Sequence, residues 1–467
     1  MNQAPWHLAL ALAWALAALP GKAASEPALP AGMAPATSAE PGLPPGLDVG
    51  GDKPDTTLEN TRADNDLSVS GFWEARLGTR LQDDPFHDDA SLRESRLQVD
   101  VARHGNSADL KLVADFVWDD LAEDHDIDLD TGQGWLDLRE LNLLWRAGDV
   151  ADLKAGRQVL TWGTGDLIFV NDLFPKDYQS FFLGRDISYL KAPSDALRVT
   201  LGYPRINLDL VYTPQFDADR YLDGSRLSFF DPVTGAINGG TPTTPVVRPN
   251  DVFEDDEWAG RLYGTLGTLE WALYGYDGFW KSPTGVDPDT RQRTFPRLRV
   301  WGLSGQGPVG SGIANLELGW YDSLEDPGGS DPFVPNSELR LLAGYRRELI
   351  ADLDLGLQYY LVHLQDFDRH RDALPDRRLA GDEYRHTLTL RLDWRVLKQD
   401  LRLSLFTFYS PSDEDAYLRL NGRYTIDDSW SLDGGLNYFT GDQDNTFFGQ
   451  LEDNSNVFAA ARYSFSQ

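Results

Sequence analysis

The sequence predicts an all-β protein, a transmembrane antiparallel β-barrel of about 18 strands with long extracellular loops, one of them folded into the lumen. Three observations predict it. Apolar and polar residues alternate with period two over segments of ten or so residues, from Leu67 nearly to the end of the chain, which is the pattern of strands with two unlike faces. The connections between these segments are short and long by turns. No run of eighteen apolar residues occurs, so helices cannot carry the chain across a bilayer.

The first strand, 68–82, reads SVSGFWEARLGTRLQ, with Val69, Gly71, Trp73, Ala75 and Leu77 on one face and Phe72, Glu74, Arg76 and Arg80 on the other. A second follows at 91–103, and a third at 108–118 sets Leu110, Leu112, Ala114, Phe116 and Trp118 against Asp109, Lys111 and Asp115. The rhythm continues through 135–146, 151–162, 196–203, 205–213, 258–266, 268–280 and 296–304. It is clearest at the end, in 313–322, 337–347, 351–365, 384–397, 400–410, 415–426, 429–440 and 455–465. Short turns such as HGNS, YPR, LGT and LKQD join every second pair. The alternate connections are mostly long: 119–134, 163–195, 214–257, 281–295, 323–336, 366–383 and 441–454. Short turns on one rim, long loops on the other and both chain ends on the short side describe a bacterial outer-membrane barrel.

A soluble propeller would show a fixed blade period, and its core could not bury so many Arg, Asp and Glu cheaply. Trp73, Trp118, Trp145, Trp258, Trp271, Trp320, Trp394 and Trp430, with Tyr345, Tyr424, Tyr438 and Tyr463, fall on the apolar face and often near strand ends, where amphipathic rings meet lipid headgroups. The expected surroundings are therefore outer-membrane lipid and lipopolysaccharide of a Gram-negative cell.

The start of the chain fits export. Residues 8–19, LALALAWALAAL, end at Pro20-Gly21 and are followed by Ala23-Ala24-Ser25, the core and cleavage pattern of a signal peptide. The expected organisation is a signal peptide at 1–24, a disordered periplasmic leader at 25–66 rich in Pro, Ala, Gly and Asp, and a barrel at 67–467. The formal charge of -32 argues against nucleic acid, which needs basic faces. With no cysteine, disulfides, thiolate zinc sites and c-type haem attachment are excluded.

At GRQVLTWG (156–163) and SDALRV (194–199) the chain resembles the alginate-export-type barrels and related uncharacterised proteobacterial outer-membrane families. Those carry a strand ending in GRQ, often with WG after it, then a long inserted loop and a strand opening on a D-x-x-R element. The resemblance covers 150–200, and the chain departs from the group's terminal aromatic by ending Phe465-Ser466-Gln467. It implies a passive export or uptake channel for anionic material.

The lumenal face supplies the candidate residues. Arg297, Arg299, Arg340, Arg346, Arg391, Arg395, Arg402, Arg419 and Arg423 are expected to line the pore on strands ten to sixteen, against fewer acids there. Two readings stay open: these charges pair across strands and hold the wall together, or they draw anionic solutes through their planar guanidinium forks. Loop 163–195 is too apolar for water. Folding it back would bury Phe169, Phe174, Phe181 and Phe182 against the wall and leave Lys176, Asp177, Arg185 and Asp186 lining the remaining constriction.

Residues 126–137, DIDLDTGQGWLD, place Asp126, Asp128, Asp130 and Asp137 at calcium-loop spacing, although Thr131 holds the place where such loops need glycine. A solvated acidic loop is the expectation and a calcium site the alternative; no other cofactor is implied. The histidines lie in no G-x-S-x-G or HExxH context, so no enzyme is expected. The functional expectation is a porin or exporter passing small or anionic solutes by diffusion, the alternative being a structural partner of periplasmic export machinery.

Overall fold

The structure, a computed structural model, describes residues 66–122, 125–240, 244–374 and 380–466. The expected signal peptide 1–24 and all of the leader 25–66 but Asp66 lie outside the described residues. Eighteen strands form one sheet. They are β1 (Asp66–Arg80), β2 (Ala90–His104), β3 (Ala108–Asp119), β4 (Leu136–Arg146), β5 (Ala151–Val159) and β6 (Pro193–Gly202). Next come β7 (Ile206–Thr213), β8 (Glu257–Leu266), β9 (Leu269–Phe279), β10 (Arg297–Val309), β11 (Gly312–Ser323) and β12 (Glu338–Ile350). The last six are β13 (Leu353–Leu364), β14 (Tyr384–Val396), β15 (Leu401–Ser410), β16 (Asp415–Thr425), β17 (Trp430–Gly441) and β18 (Asn456–Ser466).

Each strand pairs antiparallel with the next, and β18 pairs with β1 in the register Gly71↔Phe465, Trp73↔Tyr463 and Leu77↔Ala459. The sheet is thus a closed barrel in which every strand has two partners, the condition for strands to cross hydrocarbon without unpaired backbone groups. Eighteen strands give a cylinder wide enough to need filling by water or by loops.

The two faces are inverted relative to a soluble protein. Trp73, Leu77, Leu110, Trp118, Leu273, Trp301, Leu357 and Trp394 are exposed on the outside. Glu74, Arg76, Arg96, Asp115, Asp209, Glu317 and Arg419 are buried inside. Trp430 packs against Tyr463, and Tyr212 against Trp258, at strand ends on the outer surface, where a headgroup zone would meet them.

Of the strand limits that differ from the sequence expectation, three have a clear physical reason. β5 stops at Val159 rather than residue 162, because Leu160 and Trp162 turn inward into a packed cluster. β6 starts at Pro193, paired with Val159; proline is tolerated at the first position of a strand. β10 continues to Val309 through Gly305, Gly307 and Pro308, residues too small or polar to show an apolar rhythm.

The lumen is partly filled by two connections. Residues 160–192 leave β5 and cross the interior, carrying the short helix α1 (Tyr178–Leu183). Asp177 caps α1 by accepting from the Ser180 amide at 2.7 Å, and Gly184 closes it at φ 91°, a left-handed conformation suited to glycine. The apolar side chains of this connection enter two clusters. Trp162 and Phe174 pack with Tyr274, Tyr276, Leu298, Val300 and Tyr321 on the inner face of β9–β11. Phe181, Phe182, Leu183 and Val170 pack with Leu342, Phe406, Phe408, Tyr417, Phe439 and Phe458 on the inner face of β12 and β15–β18.

The second connection, 214–256, was expected only as a long outer loop. Phe216 packs at a tilt against Phe279 and Phe295, and ten residues later Arg226 bonds Asp119 and the Ser91 carbonyl on the far wall. Between these anchors Arg220 bonds both Asp137 and Asp177, so this segment lies over the first connection.

Candidate functional site

The lumen is built from its inner wall upward. The turn Gly163–Thr164–Gly165 points successive backbone N–H groups at one fully buried carboxylate, Glu317 of β11. Oε1 accepts from the Thr164 amide, the Thr164 hydroxyl at 2.8 Å and the Gly165 amide at 2.8 Å. Oε2 accepts from the Asn171 amide at 3.2 Å and its side chain at 2.9 Å. Backbone donors arranged as a concave nest satisfy an anion. Here the anion belongs to the wall, and the nest is how the loop grips it.

Further wall groups hold the loop backbone at intervals. Gln358 bonds both the amide and the carbonyl of Asp166, at 2.7 and 2.8 Å. The Tyr321 hydroxyl donates to the Val170 carbonyl at 2.6 Å, and Asn437 and Asn456 donate to the Phe182 carbonyl. Arg76 donates to the Gly184 carbonyl at 2.7 Å, and Arg419 to the carbonyls of Phe181 and Arg185 at 2.8 and 2.9 Å. The loop therefore bonds to strands on opposite sides of the cylinder.

The expected constriction residues separate into two groups. Phe169 is half-buried under the Lys176 ammonium, 4.6 Å from the ring centre, while Phe174, Phe181 and Phe182 are buried in the clusters described above. Lys176 and Asp177 are buried as well, correcting the expectation that they line an aqueous path: Lys176 pairs with Asp172 at 3.0 Å, and Asp177 is used up by the α1 cap and Arg220. Arg185 bonds Glu94 at 2.9 Å and Asp186 bridges Arg423 and Arg462, and both keep some contact with solvent.

The expected pore-lining arginines also divide. Arg297 and Arg299 share the strand face of exposed Trp301 and Leu303, while Leu298 and Val300 point into the cluster against Trp162. These two arginines therefore stand on the outer surface at the long-loop rim, both paired with Asp277. Their expected lumenal position is corrected by strict alternation through Trp301.

Arg340, Arg346, Arg391, Arg395, Arg402, Arg419 and Arg423 fall on the inward parity of β12 and β14–β16. Arg340 pairs with Glu338 at 2.7 Å and stacks over Tyr321, 3.7 Å from the ring centre. Arg391 pairs with loop residue Asp166 at 2.7 Å and with Asp393. Towards the short turns Arg395, Arg402 and Arg423 stand directly opposite one another on three consecutive strands. Like charges in register repel, and Asp354 at 2.9 Å from Arg395 and Asp433 at 2.6 Å from Arg423 offset the two outer members. Arg385, overlooked in the sequence although it has the parity of Arg391, extends this sector towards the long loops and bonds Glu338 at 3.0 Å. Side-chain exposures are 42, 24 and 32 % for Arg385, Arg395 and Arg423, against 2 and 4 % for Arg76 and Arg96 on β1 and β2. Solvent thus reaches the arginine sector beside the loops, as it reaches the Asp100–Lys111 pair, 27 and 35 % exposed, on the inner face of β2 and β3.

The four calcium-spaced acids do not converge. Asp128 caps the amides of Asp130 and Thr131, Asp130 pairs with Arg248, and Asp137 points inward to Arg220 and Arg139. Among the described residues no group of three or more acids or histidines is placed to hold a metal, and Asp130 and Asp137 are instead held by arginines.

The two family-like motifs acquire a role. Arg157 of GRQ joins three pieces of chain, donating to the Leu138 and Leu129 carbonyls and pairing with Asp195 of SDALR at 2.7 Å. Arg198 of the same element turns inward to Asp209.

No protein-family model and no curated protein matches the chain. Solved structures do. OccAB4 of Acinetobacter baumannii is similar over 87% of this chain and 100% of that one, with a TM-score of 0.52 and 8% identity. OccAB3 of the same organism covers 86% and 100% at 0.51 and 11% identity. OccK3 (OpdO) of Pseudomonas aeruginosa covers 86% and 96% at 0.50 and 10% identity. What is shared is the barrel. The narrower resemblance to alginate-export-type barrels rests on the two motifs alone.

Proposed function

We propose that the protein is a diffusion channel of a Gram-negative outer membrane, passing small solutes and favouring anions. The supporting observation is that one continuous side of the inner wall reached by solvent is an arginine sector running from Arg385 near the long loops through Arg340 and Arg391 to the Arg395–Arg402–Arg423 row. Planar guanidinium groups suit carboxylates and phosphates, and a low-dielectric wall strengthens their field in a narrow passage. Loop 160–192 sets the width, because its aromatic residues occupy the space beside that sector. Liposome swelling tests the reading. Proteoliposomes should admit a monocarboxylate such as gluconate faster than an uncharged sugar of similar size, and swelling by neither solute would refute a channel.

A further inference from the structure

Loop residue Asp186 stands where a passing carboxylate would bind. Its Oδ2 accepts from Arg423 at 2.6 Å and from Arg462 at 3.3 Å. Neither arginine needs it for a partner on the wall: Arg423 pairs with Asp433 at 2.6 Å, and Arg462 with Glu74 at 2.7 Å. Arg423 also ends the row of three arginines in register, so an anion guided along that row arrives at Asp186. The carboxylate cannot swing away freely. Its Oδ1 caps the Ser188 amide at 3.0 Å and hydroxyl at 2.8 Å, and Arg419 pins the preceding carbonyl of Arg185 at 2.9 Å.

A channel must bind its solute weakly enough to release it. Two neighbouring guanidinium groups offering charge-assisted bonds would hold a dicarboxylate for a long time. We propose that Asp186 is a built-in stand-in for the solute's carboxylate, filling the Arg423–Arg462 seat so that passing anions are drawn to the row but not trapped at its end. The proposal rests on the anion-channel reading and names a residue that sets how long the solute stays.

The test is single-channel recording in planar bilayers at neutral pH, with succinate added on the short-turn side. Asp186→Asn should show succinate-dependent interruptions of current at concentrations at least tenfold lower than the wild type, at similar open conductance in concentrated salt. Ser188→Ala removes the hydroxyl bond of the cap, keeping the amide bond and the charge, and should behave as the wild type. An Asp186→Asn channel blocked no more readily than the wild type overturns the proposal while leaving anion preference intact. A Ser188→Ala channel that copies Asp186→Asn overturns it too, by assigning the effect to loop order. A wild-type channel that prefers cations refutes the reading beneath it.

Discussion

Replacing Glu317 by Gln should free the lumenal loop while leaving the barrel standing. The carboxylate is fully buried and takes five hydrogen bonds from Thr164, Gly165 and Asn171. Glutamine can keep the three bonds on one oxygen, but its amide then turns N–H groups towards the Asn171 amide and side-chain nitrogen. Two charge-assisted bonds, worth about 1.5 kcal/mol each, are lost, so the anchored state weakens by about 3 kcal/mol, on the order of a hundredfold in the open fraction. The β11 ladder to β10 and β12 is untouched, because side-chain bonds alone are removed. Limited proteolysis reads this directly. Lys176 and Arg185 are tryptic sites shielded by the fold, and when opening is fast their cleavage rate follows the open population. Cleavage at these sites should rise by about two orders of magnitude while the variant keeps its heat-modifiable mobility on gels. Cleavage within threefold of the wild type would refute the claim that Glu317 holds the loop.

Three further outcomes follow. Deleting 166–186 should raise single-channel conductance severalfold, and an unchanged conductance would show that the solute path avoids this loop. Asp217, in the 214–256 connection, is pushed up to about 7 by burial, reinforced by Glu257 and opposed by Lys281. Its ionisation therefore costs stability progressively as pH rises from the ordinary carboxylate range through about 7, so Asp217→Asn should melt higher than the wild type at pH 8 and equally at pH 3.5, and equal melting at both would count against this. Calcium should not shift the melting temperature, since Arg220 and Arg248 already hold Asp137 and Asp130; a calcium shift abolished by Asp128→Ala would contradict that geometry.

All eighteen strands were legible because lipid imposes one rule on every outward position. In β14 the outward Leu388, Leu390, Leu392 and Trp394 and the inward Thr389, Arg391, Asp393 and Arg395 could be assigned without knowing any contact. The same rule failed at β10. Arg297 and Arg299 are polar residues on the outward face beyond the apolar belt, and Leu298 and Val300 are apolar residues facing inward because Trp162 covers them. Phe406, Phe408, Tyr417 and Phe439 were likewise on the polar face, and their significance appears only when α1 docks on them. An inward aromatic carries no mark of what it will touch. The loop's apolar content announced that it must hide, whereas its destinations did not: Glu317 lies about 150 residues from Thr164 and Arg462 about 276 from Asp186, separations at which local pattern is silent. That connection 214–256 would turn inward was not legible, because its anchors, Phe216, Arg220 and Arg226, are spread through a polar stretch without period.

The most direct test of the account is the reversal potential of the purified channel across a tenfold gradient of potassium chloride. An arginine sector along the open wall predicts a potential of the sign set by chloride, moved towards zero by Arg402→Glu. A potential of the opposite sign in the wild type would contradict it.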